Sequence, residues 1–291
     1  VWLDELVEEK KGQLNGFDFS PIAFLAAAPQ TMARPNSSHK GSFGAVAVIA
    51  GAEGMQGAAI LAATAALKAG TGKVYLSLLS PTPCSHPIRA DLMQRTVSEL
   101  ALTDSKNLKD LTVVAGCGGG HQVAEVLPLL LANAERLVLD ADALNRLAER
   151  DDLQEMLKMR AGLGLVTVLT PHPKEAALLL KNTTEWVQNN RIQAVQQIAN
   201  RFHVVVVLKG SGSLIAAPFI APTINTSGNA KLATAGTGDV LAGMVGAAMA
   251  QGLSAFEAAR VAVYWHGKIA DIWGGDGTLT AFEMLDKINY L

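Results

Sequence analysis

Short runs rich in valine, isoleucine, leucine and alanine recur along the chain and alternate with longer stretches of helical pattern. The runs fall at 45–50 (AVAVIA), 73–79, 111–115, 136–139, 165–169 and 204–208. Helical stretches at 57–69, 121–132, 142–149, 173–181 and 191–201 lie between several of them. Continuous apolar runs suit strands covered on both faces, and strand–helix alternation suits parallel pairing. The pattern predicts an α/β fold with a mostly parallel central sheet and helices on both faces. Residues 213–217 are expected to pair beside 204–208 as a hairpin, with Ser211-Gly212 in the turn. From Gly238 onward the pattern is nearly all helix, at 238–251, 254–273 and 280–289.

Composition supports a well-buried chain. Of 291 residues, 49% are hydrophobic and 17% charged, a balance of a folded enzyme and not of a disordered segment. The formal net charge of −2 gives no basic footprint for nucleic acid. Cys84 and Cys117 are far apart and lack CxxC spacing, which excludes a cysteine-rich zinc site and fits a reducing, cytoplasmic setting. No apolar run reaches the roughly 18 residues of a membrane helix. Residues 1–11 carry four acids and do not resemble a signal peptide. Residues 1–38, which begin with Val and hold Pro21, Pro29 and Pro35, read as a leader or linker. The main domain is expected to occupy 39–291.

In open α/β sheets ligands bind beyond the carboxyl ends of the strands. Four of these runs end in glycine or polar groups: Gly116 to Gly120, then Asp140, Asp142 and Asn145, then Thr170, His172, Lys174 and Glu175, then Lys209, Gly210 and Ser211. Lys209-Gly210-Ser211-Gly212-Ser213 follows a strand and resembles a phosphate loop, though without Walker A order; a glycine hairpin is an equal reading. In TPHPKE (170–175), Pro173 suits a first helical turn, and His172 between two prolines is either held for a ligand or incidental to a cap. Asp140 and Asp142 could hold Mg²⁺ through water; the plainer reading makes Asp142 a helix cap and leaves Asp140 open. His39-Lys40 is either a basic anchor for phosphate or part of an entry loop. Gly57, Ala58 and Ala59 open a helix where a ligand could approach, or simply pack on the sheet. His266 and Asp271 read as structural or interface residues.

Gly236-Thr237-Gly238-Asp239 heads the long apolar run 240–250. Glycines let the backbone turn tightly, and a helix starting here points N–H groups outward as an anion site. Asp239 places a carboxylate in the same turn. An acid beside an anion pocket suits a base that deprotonates a hydroxyl while N–H groups of Gly236, Thr237 and Gly238 hold a phosphate. Taken alone, Thr237 or Asp239 as an ordinary N-cap is the simpler reading.

Taken in order, HKGSFG (39–44), GAEGMQGAA (51–59), GCGGG (116–120), LDADALN (139–145), TPHPKE (170–175), LKGSGS (208–213) and NTSGNAKLATAGTGDVLAG (225–243) resemble the ADP- or ATP-dependent NAD(P)H-hydrate dehydratases. This is the carbohydrate-kinase-like domain of a bacterial bifunctional repair enzyme, and the resemblance runs from about 39 to 285. It implies a ribokinase-like fold and a cytoplasmic lyase that repairs hydrated NADH or NADPH (NADHX, NADPHX). A phosphoryl group from ADP (or ATP), with Mg²⁺, moves to the C6 hydroxyl and leaves as phosphate; with ADP the other product is AMP. The resemblance makes Asp239 the catalytic base. It gives Lys209, Gly210, Ser211, Gly212, Ser213 and Gly238 to the nucleotide, and Ala58, Ala59, Gly118, His172 and Asp239 to the substrate, with no protein metal cage. It further implies a homotetramer, and an N-terminal epimerase domain of which residues 1–38 are the tail. Cys117 stands where the family more often has Pro, and Lys231 where small residues are usual. Two other functions share parts of the pattern. One is a vitamin-alcohol kinase of the same fold, which TPHPKE and LDADALN fit less well. The other is a non-catalytic dinucleotide sensor, which would not need Asp239.

Overall fold

A computed structural model of the chain describes residues 23–25, 35–84, 87–102, 108–275 and 277–288. Ten strands form one sheet among these residues: β1 (Ala23–Leu25), β2 (Ala45–Ala50), β3 (Lys73–Leu78), β4 (Met93–Gln94), β5 (Thr112–Ala115), β6 (Arg136–Leu139), β7 (Val166–Leu169), β8 (Val205–Leu208), β9 (Leu214–Ala217) and β10 (Ile220–Asn225). Their order across the sheet is β1-β10-β9-β8-β7-β6-β5-β2-β3-β4. From β8 to β4 every pair is parallel, and β9 alone among the described strands runs against its neighbours. The predicted mostly parallel sheet and the 213–217 hairpin are both present.

The helices are α1 (Gln56–Lys68), α2 (Val97–Leu102), α3 (Val123–Asn133), α4 (Asp142–Glu149), α5 (Asp151–Gly162), α6 (Pro173–Leu180), α7 (Thr184–Asn189), α8 (Arg191–Phe202), α9 (Thr237–Ala250), α10 (Ala255–Ile272) and α11 (Ala281–Leu285). Successive strand side chains point to opposite faces, and β2 divides accordingly. Val46, Val48 and Ala50 join one core with α1, α9, α10 and α11. Ala47 and Ile49 join the other, with the leucines of α3, α4 and α5 and the apolar faces of α6 and α8. Helices thus cover both faces, as the unbroken apolar runs required.

Several elements depart from expectation. Ala23–Leu25 was expected within a leader but pairs in parallel with β10, Ala23 opposite Thr223, as an edge strand of the same sheet. β10 escaped notice because Pro222 interrupts an already short run, and proline cannot donate to a ladder. α5 was missed because DDLQEMLKMRAG carries few apolar residues, of which Leu153 and Leu157 are fully buried. The helix expected at 280–289 ends at Leu285, and position 289 lies outside the described residues.

Candidate active site

β5, β6, β7 and β8 lie side by side, so their carboxyl ends share one edge. Register aligns Ala115, Leu139 and Leu169. The next residues, Gly116, Asp140 and Thr170, therefore stand in a row, followed by Lys209 beyond β8. Asp140 is 1% exposed. Its Oδ1 accepts from Lys209 Nζ at 2.6 Å and from Thr170 Oγ1 at 2.7 Å. Glu175 Oε2 is 3.9 Å from the same ammonium. Burial alone would lower the proton affinity of Lys209, but the adjacent charges of Asp140 and Glu175 outweigh it and raise it.

α9 faces these strand ends. Gly236 adopts φ 89°, a left-handed turn that opens the helix, and no side chain caps it. Thr237 does not cap it, because its hydroxyl turns back to the carbonyls of Leu232 and Thr234, each at 3.0 Å. Thr237 C=O is held from below by the buried ring of His266, 2.8 Å away at Nε2. A carbonyl only accepts, so Nε2 carries the proton; burial lowers the pKa of His266 to about 4, and the ring is neutral. The first turn is thus pinned through Thr237, while the early N–H groups of the helix lack intrahelical acceptors. A Cβ on Gly238 would stand 3.4 Å from Lys209 Nζ and 3.9 Å from Asp140 Oδ2, so the missing side chain keeps the floor between helix and lysine open.

Asp239 sits in that turn. Its carboxylate, the Asp140 carboxylate and Cys117 Sγ all lie within 4.8 Å of one another. Burial, then the charge of Asp140, pushes the Asp239 pKa up to about 7, against the opposing thiol of Cys117 and ammonium of Lys209. Burial and the same two carboxylates push the Cys117 thiol well above its ordinary value. Magnesium prefers oxygen ligands. A protonated thiol and a carboxylate already bound to a lysine do not make an oxygen cage, so Mg²⁺ would have to arrive with a nucleotide's phosphates.

The Lys209–Ser213 loop is shaped from beneath. Arg191, itself 5% exposed, reaches the carbonyls of Leu208, Lys209 and Gly212 at 3.3 to 3.4 Å. Gly210 has φ 139°, and a Cβ there would press on the Arg191 guanidinium at 2.8 Å. The loop is a fitted turn around a buried cation, and Arg191 escaped the sequence reading because it is 17 residues before Leu208, at the start of the helix predicted at 191–201, with no local signal of its partner.

The other expected residues divide. His172 caps α6: Nδ1 accepts from the N–H groups of Lys174 and Glu175, each at 3.2 Å. Glu175 Oε2 in return accepts from His172 N–H at 2.7 Å. With Nδ1 committed, Nε2–H is the edge of the ring that can meet a ligand, and it stands 3.2 Å from Glu175 Oε1. Burial, then Lys209, lowers the His172 pKa, whereas burial, with Asp140 adding, lifts that of Glu175 to about 7. Gly118 meets α1 closely; a Cβ there would lie 3.0 Å from Ala58 Cβ and 2.8 Å from Met55 Cβ. Ala58 is part-exposed beside it, but Ala59 is 0% exposed, because the helical turn points it into the core. Ala59 therefore offers no side-chain surface to a substrate.

Asp142 is not a side-chain cap. Its Oδ2 accepts from Gly120 N–H at 2.9 Å, tying the 116–120 loop to α4, while Asp140 faces Lys209. The two acids do not form the pair that could share a metal. His39 caps the short helix Lys40–Phe43 through Nδ1 to Gly41 N–H at 3.0 Å. Asp271 accepts from Gly228 N–H at 3.1 Å, a structural tie, as His266 is to Thr237. Among the described residues no helix is long and apolar enough to cross a membrane.

Residues 46–289 match the NAD(P)H-hydrate dehydratase family. The chain belongs to that family. It is 41% identical over 246 residues to the ADP-dependent (S)-NAD(P)H-hydrate dehydratase of Neisseria meningitidis serogroup B, covering 82% of this chain and 80% of that one. It is 33% identical to the bifunctional NAD(P)H-hydrate repair enzyme Nnr of Coxiella burnetii, which matches all of this chain but 60% of its own length. The chain spans less than two thirds of that larger relative. The ADP/ATP-dependent NAD(P)H-hydrate dehydratase of Bacillus subtilis, co-crystallised with ATP/Mg²⁺, superposes with a TM-score of 0.74 at 26% identity, over 92% of this chain and 97% of its own. The family reading and the ribokinase-like fold expected from the motifs both stand.

Proposed function

We propose that this chain dehydrates the S form of hydrated NADH or NADPH, using ADP as phosphoryl donor. One observation carries the reading: Asp239 stands in the uncapped first turn of α9, and Lys209 reaches the same cleft from the neighbouring strand ends. A base and a cation facing one gap suit phosphoryl transfer, where positioning and charge stabilisation supply most of the catalysis.

Lys209, the fitted loop 210–213 and the N–H groups from Gly236 to Gly238 hold the phosphates. Gly118, Ala58 and His172 Nε2–H flank the hydrated dinucleotide. Asp239 takes the proton of the C6 hydroxyl as that oxygen attacks the terminal phosphorus of ADP, and AMP departs. The C6–O bond then breaks with phosphate leaving, a proton is lost from C5, and the C5–C6 double bond returns. An Asp239 pKa of about 7 suits this role, since a general base works best near the ambient pH. Mg²⁺, brought by the nucleotide, would neutralise phosphate charge.

The bifunctional relatives support a native setting beside an epimerase domain. We propose further that the enzyme is a homotetramer acting in the cytoplasm, on a small-molecule substrate and not on nucleic acid or membrane.

Incubation with NADH hydrate and either ADP or ATP, followed by NADH absorbance, tests the activity. Recovery with ADP and release of AMP are expected. Asp239→Asn should lose about 10² to 10⁴ in turnover with nucleotide binding retained. Phosphorylation of a vitamin alcohol without NADH recovery would replace the reading by a kinase, and tight dinucleotide binding with no turnover would replace it by a sensor.

A further inference from the structure

Among the described residues, Asp140 and Glu175 are the buried carboxylates at the strand-end edge to which the proposed chemistry gives no task, and of the two it is Asp140 that hydrogen-bonds Lys209. Its surroundings are specific. Oδ1 is shared by Lys209 Nζ at 2.6 Å and Thr170 Oγ1 at 2.7 Å. Its backbone N–H is fixed to Ala115 C=O at 3.1 Å, in register with the sheet. Its other side faces α9, with Oδ2 3.9 Å from where a Cβ of Gly238 would be, and the Asp239 carboxylate lies within 4.8 Å.

We propose that Asp140 is a positioning residue that sets the lysine and the base together, one oxygen aiming Lys209 into the cleft while the carboxylate stands against Asp239. This rests on the assignment of Asp239 as the base. A lysine side chain has several free torsions and reaches many directions. One buried acceptor, Asp140, and the nearby carboxylate of Glu175 at 3.9 Å restrict it to one. The same negative charge, held in a poorly hydrated place, makes the neighbouring Asp239 carboxylate hold a proton more tightly.

Other groups also face Asp239. Cys117 approaches from the loop after β5, Asp142 from the start of α4 and Lys209 from beyond β8. Glu175 and His172 act at one remove through Lys209 from α6. The neutral His266 from α10 touches Thr237 C=O in the same turn. Of these, Cys117 and Lys209 favour the ionised base, so Asp140 is the chief charge acting the other way.

Two variants therefore move Asp239 in opposite directions. Asp140→Asn removes the negative neighbour and leaves Lys209 less compensated, so the base should titrate lower, by about one pH unit. Lys209→Gln removes the positive neighbour and should move the titration higher. Carboxyl ¹³C NMR of the whole protein reads this without turnover, the Asp239 resonance being the one that vanishes in Asp239→Asn. The acid limb of the kcat/KM profile should follow the resonance in Asp140→Asn, and KM for ADP should rise about tenfold or more as Lys209 loses its aim. Thermal melting checks that each variant folds, and the Lys209→Gln arm serves if Asp140→Asn does not. An Asp239 midpoint that stays put in both folded variants overturns the proposal. If Asp239→Asn keeps its turnover, the base assignment fails separately, whatever the resonances do.

Discussion

The two faces of the sheet are packed by different rules. On one face α3, α4 and α5 present leucines, among them Leu127, Leu130, Leu131, Leu144, Leu147, Leu153 and Leu157, all fully buried. On the other, α1 and α9 meet through alanine and glycine. A Cβ on Gly243 would overlap the carbonyl oxygen of Ala62, and one on Gly246 would overlap Val114 Cγ2. Large side chains fill space and bury area; small ones let backbones approach closely. The leucine face is built for burial, whereas the glycine and alanine face brings the first turn of α9 down to the ends of β5 and β6. One face is thus filled by large side chains, while close backbone approach on the other places the turn that carries Asp239.

Breaking each face should separate the two roles. Leu157→Ala should cost about 2–5 kcal/mol in urea unfolding and leave kcat of the folded enzyme unchanged. Gly243→Ala should cost about 1–3 kcal/mol by overpacking. It should also lower kcat, because α9 must shift away from α1 and carry Asp239 with it. Equal effects of the two variants on kcat would abolish the division.

That division explains what was readable in the chain. The parallel sheet followed from the apolar runs, and the strand-end location of the site followed from what came after each run. Gly236 to Asp239 and Lys209 to Ser213 were found because glycine and charge together break an apolar pattern. The pairing of Asp140 with Lys209 was not found, since the two are 69 positions apart and meet only through the order of β6, β7 and β8. Aligning Leu139 with Leu169 would have placed Asp140 beside Thr170, but strand order is not written in local periodicity. Ala58 and Ala59 could not be separated before the phase of α1 was known. Asp142 looked like a cap because caps are the common fate of an acid there; its actual partner, Gly120, is on another loop.

A second test concerns pH, where buried groups around the active site oppose one another. Asp239 and Glu175 keep their protons up to about pH 7 when folded, against ordinary values of 3.8 and 4.5. The folded state then binds more protons than the unfolded one, so their contribution to stability falls as pH rises from about 4 to 7. His266 has the opposite sign. Its folded value of about 4 lies below the ordinary 6.5, so the unfolded chain binds more protons and stability falls as pH drops through that window. Asp239→Asn should be more stable than the parent at pH 8 by roughly 1–2 kcal/mol, with the advantage fading towards pH 4. His266→Gln should lessen the acid-side loss. Unfolding free energies measured from pH 4 to 8 check both, and a pH-independent gain in Asp239→Asn would contradict the buried, proton-holding carboxylate.

A third test asks whether the nucleotide loop depends on the leucine face. Arg191 belongs to α8, on the leucine face, yet its guanidinium reaches through to the 208–212 carbonyls. Arg191→Met should raise KM for ADP roughly tenfold, the cost of a loop no longer held in shape, with a smaller change in kcat. An unchanged KM would mean that the glycines alone fix the loop.

The smallest effect is expected at the outer side of the glycine and alanine face. Lys68 Nζ, at the end of α1, meets Asp286 Oδ1 at 2.8 Å just beyond α11. The pair ties the C-terminal helix to α1, but Asp286 is 69% exposed there, so water screens the attraction and the long lysine must be ordered to make it. The attachment comes instead from Met284 and Leu285, 0% and 4% exposed in the same core as Ala62 and Ala66. Lys68→Met should therefore lower stability by at most about 1 kcal/mol, less still at high salt, and leave turnover alone. A larger loss would show that the glycine and alanine face, short of bulky side chains, leans on charge at its rim, and the contrast between the two faces would then be one of electrostatics as well as of packing.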